Sequence, residues 1–286
     1  MRRLPDCTVL AMVLLVIGGC ASGRDFDWGS AVSIAMRTGV KAVEASRPMN
    51  ESEEYYLGRA VAARILSGYL LYQDQELTAY VNQIGQTVAR KSSRPMTFRG
   101  YHFAVLDSPE PNAFACPGGI IFITRGLLRI SENEDELGAA LAHEVSHVAH
   151  RDGISSISQA RWTKVLTALG TDVAKQYAGP AGELVSLFEG SIDDVFKTIV
   201  VNGYSRSAEE KADAAAATVL NDAGYNPKAL TALLTKMGSQ DKKAGGIFAT
   251  HPPTSERLDA LKALGHEPPA ALLDTVRTSR FKGQRI

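Results

Sequence analysis

The stretch Ser131–Gly153, SENEDELGAALAHEVSHVAHRDG, constrains the chain more than any other. Its centre, His143-Glu144-Val145-Ser146-His147, is an H-E-x-x-H pattern. On an α-helix each residue advances by about 100°, so two positions four apart lie about 40° apart on one face. Two imidazoles at that spacing can grip one metal ion. Glu144, between them, leans to the same side and can reach a water there. The pattern therefore suits a zinc hydrolase, with His143 and His147 as ligands and Glu144 as general base.

Independent signals predict the helix. Ser131 is placed to cap it, with Glu134 three residues on completing a capping box. Glu132, Glu134, Asp135 and Glu136 crowd the first turn, where the helix dipole favours negative charge. Leu137, Ala140, Leu141, Val145 and Val148 recur at helical spacing. Arg151 falls near the end, and Gly153 can supply a left-handed stop. A competing reading is a buried helix that carries two histidines by chance. It would bury a carboxylate and two imidazoles without partners, which is costly.

A catalytic zinc wants three protein ligands and one open position. A third histidine in the pattern H-E-x-x-H-x-x-G-x-x-H is excluded, because His150 stands at the glycine position and Gly153 at the final histidine position. His150 reads instead as a helix-end residue. The other solution is a carboxylate from a later helix. Gly203–Leu220, GYSRSAEEKADAAAATVL, is such a helix, with Ser205 or Ser207 as cap and a run of alanines. Glu209 and Glu210 point about 100° apart, so only one can face the metal squarely. Asp213 shares the face of Glu209 and can hold the second ring nitrogen of a ligating histidine, which favours Glu209. The rival here is a solvated acidic face.

The N-terminus reads as a processed segment. Arg2 and Arg3 precede a ten-residue, mostly apolar run, Thr8–Ile17, too short for the ~20 residues a membrane span needs. Ile17-Gly18-Gly19-Cys20 follows and is similar to a bacterial lipobox, with Cys20 the residue acylated after cleavage. Ala21 after it implies, by resemblance to Gram-negative lipoproteins, sorting to the outer membrane. Losing residues 1–19 leaves 29 basic and 30 acidic side chains of the 31 of each. That near-neutral balance carries no nucleic-acid footprint. Cys7 is then discarded and Cys20 lipidated, leaving Cys116 alone with no disulfide to form. Cys116 reads as a small buried hydrophobe.

Residues 20–50 read as a lipid tether with a short helix around Ser30–Ala45, or as simple disorder. Glu51–Tyr72 looks helical. Leu77, Val81, Ile84 and Val88 step by four, three and four and make one apolar stripe. Phe103–Leu106 is a predicted strand. Asn112-Ala113-Phe114-Ala115, a Pro117-Gly118-Gly119 turn and Ile120–Thr124 make a predicted hairpin. Its first strand is either an exposed edge that pairs with extended peptides or an ordinary buried strand. Ile154–Val201 is mostly helical in composition, and Leu184, Leu187, Phe188, Val195, Phe196 and Ile199 could form a lid. Gly224 ends the carboxylate helix, Lys228–Met237 forms the next, and Lys242–Gly246 is a connection. Thr250-His251-Pro252-Pro253 leads into a last helix, Thr254–Leu264. Gly265–Ile286 reads as a basic tail, with no internal repeat anywhere.

The joint set of H-E-x-x-H, Tyr204-Ser205-Arg206…Glu209…Ala212-Asp213, Asn112-Ala113-Phe114-Ala115 and His251-Pro252 resembles the gluzincin metallopeptidases of HtpX, BepA, LoiP and the CAAX prenyl proteases (peptidase family M48). The likeness spans about Tyr55–Leu264 and is nearest to the periplasmic lipoprotein members of LoiP type; tetratricopeptide repeats such as those of BepA are lacking. It implies an α+β, mainly α-helical, zincin-like fold with a small β-sheet. It also implies one Zn2+ on His143, His147 and Glu209, Glu144 as base, and Asp213 behind a ligand. His251 would stabilise the oxyanion or occupy the open position as an off-switch. Arg257 would support its loop, and Asn112 and Ala113 would bind the substrate backbone. The expected domains are 1–19 (signal), 20–50 (tether), 51–266 (peptidase) and 267–286 (tail). The expected function is a zinc endopeptidase lipid-anchored at the periplasmic face of the outer membrane. Unfolded or misassembled envelope proteins would be its substrates, near the outer-membrane assembly machinery. The rival is a chaperone-like module with a structural zinc. Such a site needs no base and usually fills all four positions, so Glu144 argues against it.

Overall fold

The computed structural model of the chain describes residues 48–157, 192–239, 250–251, 255–265 and 271–284. Expectations for the signal segment, Cys20, the tether and its helix lie outside the described residues. So do those for Leu184, Leu187, Phe188 and the Lys242–Gly246 connection. Among the described residues no helix is long and apolar enough to cross a membrane.

Helix α1 (Glu51–Leu66) begins with a full capping box between Asn50 and Glu53. It stops at Leu66, earlier than its composition suggests, because the chain must turn to let Leu71 bridge to Leu106 on the sheet. Helix α2 (Gln75–Ala89) is capped by Asp74 and buries the predicted stripe, Leu77, Val81, Ile84 and Val88.

Three strands follow: β1 (His102–Leu106), β2 (Ala113–Cys116) and β3 (Ile120–Thr124), in the order β1-β3-β2. β3 pairs parallel with β1 and antiparallel with β2. Alternation sends Phe103, Val105, Ala113, Ala115, Ile121 and Ile123 to one face and Leu106, Phe114, Cys116 and Phe122 to the other. The outer edge of β1 is closed by the backbone around Leu71 and by a side chain. Asn82 of α2 donates to Phe103 O at 2.6 Å and accepts from Phe103 N at 3.1 Å. Blocking an edge in this way denies it to other chains. β2 is the other edge strand, but all four of its side chains are buried.

Helix α3 (Arg125–Ile130) intervenes before the histidine helix and was not legible in the sequence. It changes the cap. Ser131 donates to Leu127 O and closes α3, while Asn133 caps α4 (Glu134–His150) by accepting from Glu136 N at 2.9 Å. The stop is also different from the expected one. Arg151, not Gly153, is the left-handed residue, with φ +60°, and Gly153 lies in the short helical turn α5 (Asp152–Ser155) beside the Pro117 ring.

The remaining helices are α6 (Arg206–Asp222, capped by Ser205), α7 (Lys228–Ser239), α8 (Ser255–Ala263) and α9 (Ala271–Lys282). Every residue of α4 from Glu134 to Val148 is buried, packed among α2, α6, α7, α9 and β2. One apolar cluster joins one sheet face to α2, α4, α6 and α7. The second joins the other face to α1, Ile192, Val195 and Ile199. Each fully buried large aliphatic or aromatic side chain contributes about 1.5–3 kcal/mol. Val195 and Ile199, expected in a lid, are therefore core residues beneath the sheet, with Phe196 packed against them.

The acidic start of α4 does more than answer the dipole. Glu134 accepts from the hydroxyls of Tyr80 (2.8 Å) and Tyr225 (3.1 Å) and pairs with Arg280. Asp135 accepts from Asn226 N and pairs with Arg277, and Glu136 pairs with Lys236. Arg277 and Arg280 sit on α9, so residues 267–286 are not a loose tail. They contain a helix, Ala271–Lys282, docked on the histidine helix. Local pattern could not show this, because the docking groups are charges that find partners on another helix.

Helix α1 approaches the Pro117–Gly119 turn so closely that a Cβ on Gly58 would meet Pro117 O at 1.7 Å. Gly58→Ala is expected to destabilise the fold by about 3 kcal/mol, since neither backbone can yield. Urea denaturation measures it, and a loss below about 0.5 kcal/mol would contradict this packing.

Candidate metal centre

Helix α4 presents His143 and His147 on one side, and α6 crosses it to bring Glu209 against them. His143 Nε2 and His147 Nε2 are 3.1 Å apart, and each lies 3.4 Å from a Glu209 oxygen. His251, just before α8, adds Nδ1 at 3.3 Å from His143 Nε2 and 2.9 Å from Glu209 Oε1. These four buried side chains each offer one donor atom, all within 4.8 Å of one another. Glu210 is exposed and points away, and His150 stands outside the group.

The groups behind the donors fix their orientation. Asp213 Oδ1 lies 3.0 Å from His143 Nδ1, close but off the best hydrogen-bond direction. Asp152 Oδ2 lies 2.8 Å from His147 Nδ1. A proton on His147 Nδ1 held by Asp152, and one on His143 Nδ1 favoured by the charge of Asp213, would leave the Nε2 lone pairs to a metal. Arg257, buried, donates to both oxygens of Asp213 (2.6 and 2.8 Å) and lies 2.9 Å from Glu209 Oε2. The Tyr204 ring stacks on His147 at 4.1 Å and 25°. A small apolar pocket touches His143, Glu144, His251 and Arg257, walled by Leu230, Leu233, Leu234 and Met237 of α7.

The donor set fits zinc. Bonds of about 2.0–2.1 Å in a tetrahedron place neighbouring donors about 3.3 Å apart, and the close contacts here, from 2.9 to 3.4 Å, match that spacing within a group whose donors all lie within 4.8 Å. Two Nε2 atoms at 3.1 Å repel if both present lone pairs, so either a proton or a cation must lie between them. The electrostatics say the same. Burial opposes charge on His143, yet Asp213 and Glu209 outweigh it and push its pKa up to about 10. For His147 burial is likewise outweighed, by Asp152 and Glu209, and its pKa is raised. Burial would raise the pKa of Glu209, but His251, His143 and His147 hold its carboxyl far below the usual range. Buried carboxylates here call for positive charge, which a divalent ion supplies.

Glu144 is buried beside the donors, with Oε1 3.7 Å from His251 Nε2 and Oε2 without a hydrogen-bond partner among the described residues. Glu209 Oε2 also lacks a hydrogen-bond partner there but lies 2.9 Å from Arg257, whereas Glu144 Oε2 stands beside the donors as a carboxylate oxygen that suits a proton-transfer role. Asn112 and Ala113 are buried at the start of β2, where Asn112 Oδ1 accepts from Ala113 N at 2.9 Å. The structure does not bring Asn112 into the donor group. Sequence reasoning missed Asp152, Tyr204 and the α7 wall. Asp152 had one signal, a carboxylate just past the histidine helix, but reaching His147 depends on the turn at Arg151.

A buried donor group of two histidines from one helix and a glutamate from a later one defines a zincin-like metallopeptidase fold. The chain belongs to Peptidase family M48, which matches residues 75–265. It is 27% identical over 223 residues to a beta-barrel assembly-enhancing protease of Yersinia pestis, covering 75% of this chain and 44% of the relative. It is 30% identical over 188 residues to a protease HtpX homolog of Nitrosomonas europaea, covering 56% and 64%. Similarity extends to the mitochondrial metalloendopeptidase OMA1 of Schizosaccharomyces pombe, 26% identical over 184 residues, 63% of this chain and 51% of the relative. The chain thus spans about half the length of several curated relatives it matches. Metallopeptidases of this family use zinc, and the donor group can hold one such ion.

Elemental analysis of purified protein is expected to find about one zinc per chain. Glu209→Ala and His147→Ala should lose it, while Glu144→Gln should keep it. Full zinc in both alanine variants would place the ion elsewhere.

Proposed function

We propose that the protein is a zinc-dependent endopeptidase that degrades misfolded or misassembled envelope proteins, anchored through acylated Cys20 to the periplasmic face of the outer membrane. The observation that carries the peptidase reading is Glu144. Its unpartnered Oε2 is buried beside a four-donor metal group, and a merely structural site has no use for such a base. The envelope reading is supported by the Ile17-Gly18-Gly19-Cys20 lipobox and by relatives named for beta-barrel assembly.

His143, His147 and Glu209 would hold the ion, with His251 Nδ1 at the fourth donor position. When bound, zinc supplies Lewis acidity and makes a water molecule acidic near neutral pH. Glu144 Oε2 accepts the proton of the attacking water and returns it to the departing amide nitrogen. Asp152, by a hydrogen bond, and Asp213, by its charge, favour protons on His147 Nδ1 and His143 Nδ1, so that with the ion bound both rings would turn their Nε2 lone pairs to it. Arg257 anchors Glu209 and Asp213 together. Leucines 230, 233 and 234 keep bulk water off the site, which strengthens each of these interactions. Entry of a peptide carbonyl requires His251 to leave the donor group, since its ring nitrogen stands where the fourth donor belongs. Edge strand β2, with Asn112 and Ala113 at its start, is the element on which an extended substrate would align. Pairing of that kind selects unfolded chains.

Glu144→Gln is expected to lower kcat/KM on casein or a misfolded porin by about 10²–10⁴-fold at equal zinc content. Undiminished cleavage would overturn the mechanism. Cys20→Ser should move the protein from the membrane fraction to the soluble fraction; if it stays membrane-bound, the lipid-anchor reading fails.

A further inference from the structure

Asp152 stands five residues beyond His147, where a continuing helix would place it about 140° round the axis and out of reach. It nevertheless lies 2.8 Å from His147 Nδ1. Arg151 makes this possible. It takes φ +60° and ψ 34°, the left-handed conformation, and turns the chain so that Asp152 faces back to the histidine. No other non-glycine described residue has positive φ. A residue with a Cβ holds that conformation only where its surroundings enforce it.

The enforcement comes from the first helix. Arg151 Nη2 donates to Met49 O at 2.6 Å and lies 2.9 Å from Glu54 Oε2. The Met49 carbonyl takes the aligned hydrogen bond, and the Glu54 contact is Coulombic. Glu54 is wholly buried, and its other oxygen is fixed by Arg94 Nη1 at 2.8 Å and Gly118 N at 3.1 Å. A charge that deep needs its partners, so its position is stiff.

We infer that Glu54 and Arg151 are positioning residues for the metal centre: buried Glu54 pins the left-handed Arg151, which aims Asp152 at His147. The inference rests on the zinc reading above. It adds that α1 and Met49, remote from the donors in sequence, set the grip on the ion through one turn.

The test is zinc affinity, measured by competition with a chromophoric chelator on the full chain, alongside thermal unfolding of the metal-free protein. Asp152→Asn should weaken zinc binding by about 10–100-fold, as loss of a carboxylate behind a ligating histidine does. Arg151→Gly keeps a residue that tolerates positive φ but removes the tether, and Glu54→Gln keeps shape but removes the charge. Each is expected to weaken zinc binding by about tenfold alone. In the Asp152→Asn background each should add less than about twofold, because the route to His147 is already cut. Two results would overturn the inference: unchanged zinc affinity in both single variants, or single losses that multiply in full in the double variants. The second outcome would mean that Glu54 and Arg151 act on general stability, which the metal-free unfolding curves read separately. Absence of zinc from the wild-type protein would instead sink the metal reading itself.

Discussion

Three imidazoles and a carboxylate converge on one buried point, and most of the fold exists to make that crowding tolerable. Left without a cation the cluster is hostile. Two Nε2 atoms face each other at 3.1 Å, and Glu209 and Asp213 lie within reach of the rings. The carboxylates answer by pushing His143 to a pKa of about 10, and Arg257 adds positive charge against both acids. One divalent ion resolves the same conflict with the rings neutral. Bringing such groups out of water is expensive, so each must be held by a partner that is itself held.

That requirement explains the scaffold. Helix α4 carries two donors and the candidate base, and it is buried from Glu134 to Val148. Its two ends are clamped differently. At the N-terminal end three acids reach Tyr80, Tyr225, Lys236 and the arginines of α9. At the C-terminal end Arg151 reaches α1, and Asp152 returns to His147. The sheet supports one flank, closed along β1 by Asn82 and covered on both faces by apolar clusters.

Much of this was legible in the residues. The apolar stripe of α2, the strands around Pro117-Gly118-Gly119, and the helices of His143 and Glu209 all follow from periodicity and turn chemistry. Errors gathered at element ends. Ser131 had the chemistry of a cap, but α3 claimed it, and Asn133 took the role. Gly153 had the freedom for a left-handed stop, but Arg151 took that conformation because Met49 and Glu54 hold it there. The basic C-terminal stretch read as a tail because its docking groups are arginines. Their acids lie 146 residues away in the case of Arg280 and Glu134.

By itself the sequence determined which side chains can bind a metal and which helices carry them, since spacings of four on a 3.6-residue helix are local geometry. Tertiary structure alone decided which of those groups meet. His251 joins His143 across 108 residues, Arg257 joins Asp213 across 44, and Arg151 joins Met49 across 102. Contacts at such separations depend on how helices pack and where the chain reverses. No local pattern encodes that, because the free energy that selects it is shared among all the surfaces buried together.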